Sequence, residues 1–93
     1  MHEMGIASSI LEAVHKELHR HPKNRASKIG LRIGEFAGVD EASLRFCFEA
    51  LVKGTPMEPL ELEIEWCRAE DGRGGDELDL AFVDLEESRE VSA

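Results

Sequence analysis

The sequence predicts an α+β domain with two helices packed on one face of a three-stranded, mixed sheet. Three observations lead there: two apolar stripes at helical spacing, three segments that alternate apolar and polar residues, and their order of helix, strand, helix, strand, strand. At 93 residues the chain (residues 1–93) reads as a single domain, because two separate cores would not fit in that length.

The first helix rests on Ile6, Ala7, Ile10, Leu11, Val14 and Leu18, three and four residues apart between Met4 and His19, with Glu12, Lys16 and Glu17 on the other side. Pro22 and Asn24 end it, since a proline pushes the residue before it out of helical geometry. Residues 27–34 alternate, with Ile29, Leu31 and Ile33 on one face and Lys28, Gly30 and Arg32 on a wet one, which is a strand. Asp40 is placed to cap a second helix carrying Leu44, Cys47, Phe48, Leu51 and Val52. Lys53, Gly54 and Pro56 stop that helix, the glycine taking the left-handed turn. Leu60, Leu62, Ile64 and Trp66 point inward and Glu61, Glu63 and Glu65 outward along the second strand.

Residues 68–77, with Asp71, Gly72, Gly74 and Gly75, form a short loop. Leu78, Leu80 and Phe82 then alternate before the parity moves to Val83 and Leu85. Either a bulge near Ala81 or Phe82 or a strand covered on both faces accounts for that slip. Residues 87–93 read as a frayed end. If adjacent, the first two strands run parallel with a right-handed crossover, and the third runs antiparallel to the second.

Lys and Arg total 11 against 20 Asp and Glu, a net charge of −9. That sign excludes nucleic acid and anionic membranes as partners, since both reward cationic surfaces. Residues 1–34 nevertheless carry +3, and the cluster Arg20, Lys23, Arg25 and Lys28 offers a basic end able to steer an acidic partner. No apolar run approaches the roughly 18 residues of a bilayer span and no secretory signal is legible, so the expected compartment is the cytoplasm. Cys47 and Cys67 are then free thiols, and with no CxxC pair they make neither a disulfide framework nor a zinc ribbon.

The candidate site is the N-terminus. The α-amine of Met1, the backbone nitrogen of His2 and its imidazole can turn on one ion as fused chelate rings, and Glu3 can add a fourth ligand through its backbone nitrogen or its carboxylate. A square-planar ion such as Ni(II) or Cu(II) suits these nitrogens, whereas Zn(II) prefers four tetrahedral ligands. His15 and His19, with His21 beyond them, could clasp a metal, but a helix end complementing its dipole accounts for them. Asp40 is a further oxygen near enough in principle, though an N-cap explains it fully. No nucleophile is paired with a base, so nothing points to an enzyme, and the 72–75 glycines lack the order of a phosphate loop.

Several segments carry a resemblance in the same order: Met1-His2-Glu3-Met4 with the helix after it, the strand from Lys28 to Glu35 followed by Gly38-Val39-Asp40, Leu44 to Glu49, Lys53 to Pro56, and Leu62 to Glu65. Together they resemble the HypA/HybF family of hydrogenase nickel-incorporation proteins over residues 1 to about 67, and residues 78–86 resemble its closing strand. The resemblance implies a nickel metallochaperone that binds Ni(II) transiently at Met1, His2 and Glu3 and works with a HypB-like GTPase to supply the hydrogenase large subunit. The rival reading is a metal-free module that docks the GTPase or a hydrogenase subunit. The family's zinc ribbon, with its two CxxC pairs, would fall at residues 68–77, where this chain has only the short loop, so no structural zinc is expected. The loop is either a natural short form or a deletion closed by residues 72–75.

Overall fold

The structure is a computed structural model that describes residues 2–69 and 75–87. Its elements are α1 (Glu3–His19), β1 (Asn24–Gly34), α2 (Glu41–Val52), β2 (Glu61–Cys67) and β3 (Leu78–Glu87), in the order and class the sequence predicts. The sheet order is β2-β1-β3, with β1 parallel to β2 and antiparallel to β3. The third strand therefore has the expected direction, but it lies on the far side of β1 from β2. A parallel neighbour needs a crossover, which α2 supplies, and the long pairing of β1 with β3 fills the other side.

The core is what the two stripes and the first strand predict. Ala7, Val14, Ala26, Ile29, Ile33 and Leu44 are fully buried, and Ile10, Leu11, Leu31, Cys47, Phe48, Val52 and Met57 pack around them. Cys47 is accordingly a small buried hydrophobe. Gly54 takes φ +76 just after α2, as its stop signal implies.

Three details differ from the sequence reading. First, β1 starts at Asn24 instead of Ser27: Asn24 and Arg25 pair with Glu87 and Glu86 across the strand, and Arg25 Nε meets Glu86 at 2.9 Å. Second, Trp66 lies opposite Ile33 on the helical side of the sheet yet is 43% exposed. It sits at the end of an edge strand, where the carboxylate of Glu41 of α2 accepts its indole N–H at 3.0 Å. Third, two members of the basic cluster pair within the chain, Arg25 with Glu86 and Lys28 with Glu61 at 3.0 Å. The frayed end expected at 87–93 lies outside the described residues except for Glu87, which closes β3.

The parity slip is a bulge. Gly30 pairs with Phe82 and Leu31 with Leu80, so Ala81 is the extra residue. The bulge lays the Phe82 ring over Gly30 on the wet face, where any Cβ at Gly30 would run into it. Gly30→Ala should cost about 1 kcal/mol in urea unfolding, because a side chain ring can swing aside where backbone cannot. Combined with Phe82→Ala it should cost nothing further, and a fully additive double variant would contradict this packing.

Beyond Gly34 the chain crosses itself. Gly34 N–H donates to Glu77 O at 2.8 Å, Glu35 N–H to Cys67 O at 2.8 Å and Phe36 N–H to Gly75 O at 2.6 Å. Residues 34–36 thus hold both the segment leaving β2 and the segment entering β3. Within the 68–77 loop, residues 70–74 lie outside the described residues.

Candidate metal centre at the first helix

Helix α1 begins immediately after His2, whose backbone is extended (φ −87°, ψ 95°) and whose carbonyl accepts the Ile6 N–H at 3.1 Å. A helix leaves its first N–H groups without intrahelical acceptors, so the ladder makes no use of the backbone nitrogens of His2 and Glu3. The His2 side chain is exposed. Met1 lies outside the described residues.

The Glu3 carboxylate is engaged. Its Oε2 accepts the backbone N–H of Asp40 at 3.1 Å, joining the start of α1 to the start of α2. That bond, followed by one from its own backbone N–H, holds the carboxyl below its ordinary pKa. Asp40 in turn caps α2, its Oδ1 accepting the Ser43 N–H at 3.0 Å, the role read from the sequence. Asp40→Ala should therefore cost about 1 kcal/mol of stability, the usual value of a cap, measurable by urea unfolding.

The Glu3 link has a definite pH dependence. Its folded pKa is depressed, so its contribution is present above the unfolded carboxyl value of about 4.3 and is lost as pH falls through the folded value. The stability gap between the unaltered chain and Glu3→Ala should be constant from neutral pH to about 5 and close in stronger acid. A gap that widened in acid would contradict the link.

The two joined helix starts enclose an open pocket lined by His2, Glu3 and Met4 from one side and Ser43, Phe46 and Cys47 from the other. Met4 and Phe46 are 46% and 68% exposed at its rim. Sequence reasoning missed the next link. Glu41, the first residue of α2, accepts Arg45 Nε at 2.9 Å as well as the Trp66 indole, and these two bonds, Arg45 first, lower its pKa. The N-terminus is thus connected through Asp40 and Glu41 to the chain's sole tryptophan.

The alternative ligands are not drawn together. His15, His19 and His21 are exposed, and His21 Nε2 lies 3.6 Å from Glu17. Among the described residues no three His, Cys, Asp or Glu side chains converge on a point where they could hold a metal. Cys67 is half-buried at the end of β2, and burial, with the Glu65 charge beside it, raises its thiol pKa. No helix among the described residues is long and apolar enough to cross a membrane.

A small α+β domain thus presents His2 and Glu3 at a helix start that has no side-chain cap and is joined to the start of the second helix. Residues 1–71 match the family described as "Hydrogenase/urease nickel incorporation, metallochaperone, hypA". The chain is similar to proteins named hydrogenase maturation factor HypA: 48% identical to that of Chlorobium limicola over 70% of this chain and 56% of the relative. It is 43% identical to that of Methanopyrus kandleri, over 70% of this chain and 46% of the relative. For Chlorobaculum parvum the identity is 41%, over 74% and 61%. The chain belongs to the HypA family. It spans about half the length of the curated relatives it matches.

Proposed function

We propose that this domain binds Ni(II) at its N-terminus and delivers it for [NiFe]-hydrogenase maturation. The ligands are the Met1 α-amine, the backbone nitrogen and imidazole of His2, and the backbone nitrogen of Glu3. The observation that carries this reading is the bond from Asp40 N–H to the Glu3 carboxylate. A carboxylate engaged with the second helix favours the backbone nitrogen as the group Glu3 contributes, and it steadies the residue on which that nitrogen sits. Four nitrogens suit a square-planar d8 ion and disfavour Zn(II). The exposure of His2 supports release to an acceptor, which is delivery and not catalysis.

The partners are a HypB-like GTPase and the hydrogenase large subunit, and the compartment is the cytoplasm, where Cys47 and Cys67 remain thiols. The 68–77 loop stands where the family's zinc ribbon would be. Cys67 alone cannot hold a structural zinc, which takes four ligands.

The test is Ni(II) titration of protein with a native start beside His2→Ala, followed by calorimetry and by Trp66 emission. Tight one-to-one binding with a change in emission, both lost in His2→Ala, is expected. Equal stoichiometry and affinity in the two proteins would remove the site from the N-terminus and favour the metal-free docking module.

A further inference from the structure

Among the described residues the sheet has two open edges, and the chain treats them differently. On β2, Arg45 of α2 places Nη1 on the Leu62 carbonyl at 2.8 Å, which blunts that edge. On β3, the Asp84 carbonyl turns inward, where Ser27 Oγ of β1 donates to it at 3.3 Å. Successive residues of a strand direct their backbone groups to opposite sides, so Val83 and Leu85 present N–H and C=O to the open side.

The two faces beside that open edge differ in chemistry. On the inner face Leu78 and Leu80 are only half-buried. Next to them α1 carries Gly5, Ser9 and Ala13, whose short side chains leave an apolar trough that ends at His2. On the outer face stand Asp79 and Asp84, both exposed and, among the described residues, without an ion-pair partner.

We propose that β3 takes up an extended segment of a partner protein as a fourth strand, and that the segment alternates apolar and basic residues. Strand addition supplies the main-chain bonds, and alternation decides which sequences fit. The segment pairs along residues 82–87, where the second irregularity of the β1–β3 pairing places its extra residue, Ser27, on β1 and leaves β3 without an insertion, and runs past the Ala81 bulge into the trough. Its apolar side chains fill the trough while its Lys or Arg side chains face Asp79 and Asp84. A second copy of this chain is refused, because edge-to-edge pairing would oppose two acidic rows on a protein already at −9. The surface lies beside the proposed nickel site without depending on it.

The probe is a ten-residue peptide alternating Val and Lys with blocked ends, long enough to cover β3 from Leu78 to Glu87, added to the metal-free full chain and followed by amide hydrogen exchange. Exchange at Val83 and Leu85 should slow by about tenfold or more, as expected when two free amides gain acceptors. N-methylating the peptide's pairing edge should weaken binding about tenfold, the equivalent of a few modest hydrogen bonds. A Val-Glu peptide should not bind, and Asp79→Asn with Asp84→Asn should weaken the Val-Lys peptide. The proposal is overturned if the peptide binds without protecting Val83 and Leu85, if N-methylation has no effect, or if the protein alone forms dimers that protect the same amides.

Discussion

Acetylating the Met1 α-amine is expected to lower Ni(II) affinity by about 100-fold or more and to make its pH dependence shallower. The amine closes the first chelate ring, and an acetylated nitrogen in its place is too weak a donor to close it. In the native-start protein the amine, the imidazole and the backbone nitrogens all give up protons on binding, so affinity should fall in acid with more than one proton. The blocked protein loses one of those protons and the ring it closes. A C-terminal tag should change nothing. Absorption spectroscopy offers the check, through the weak visible band of square-planar Ni(II), expected only with a free start. If blocked protein binds as tightly with the same band, the N-terminal reading fails and the His15, His19 and His21 group is the next to examine.

Replacing Gly34 with alanine should be the most damaging single change to the fold. A Cβ there would run into the carbonyl carbon and oxygen of Gly75 and come within 2.9 Å of the Asp76 nitrogen. These are backbone atoms, held where they are by the Phe36 N–H to Gly75 O and Gly34 N–H to Glu77 O bonds. Gly75 cannot easily retreat, since it sits at φ +61 with Ala69 and Phe36 packed against it. A loss of about 3 kcal/mol is expected, near the top of the range for overpacking. A domain this small has a stability of roughly 5 kcal/mol, so the urea midpoint should fall by more than half with little change in slope. A loss no larger than that of Gly30→Ala would show that the crossing is slack.

The helices were legible because each buries one stripe. Ala7, Ile10, Leu11 and Val14 all face the core, and so do Leu44, Cys47, Phe48 and Val52. The parity slip after Phe82 was legible too, but a bulge was one of two explanations for it, and only the pairing of Gly30 with Phe82 and Leu31 with Leu80 decides between them. What the sequence concealed depended on partners far along the chain. Asn24 and Arg25 show no alternation and become strand because β3 supplies Glu87 and Glu86 opposite them. Alternation placed Trp66 on the correct face but could not show that the sheet ends there. At the candidate site His2 and Glu3 could be picked out from their chemistry and Asp40 from its place before a helix. The bond joining Glu3 to Asp40 spans 37 positions, and no local pattern encodes it.

The self-crossing at residues 34–36 makes this fold indifferent to what is threaded between β2 and β3. A Cβ built on Gly75 would lie 2.7 Å from that of Ala69, so the chain leaves and returns at almost the same point. The seam that joins these two ends is made by residues 34–36 with Cys67 on one side and Gly75 and Glu77 on the other. Cargo of any size can be spliced in there with its ends already together, and each doubling of a flexible insert adds only about 0.6 kcal/mol of closure entropy. A whole accessory domain can therefore be gained or discarded at this seam over evolution, or by an engineer, while the helix starts at the opposite side of the sequence keep their arrangement.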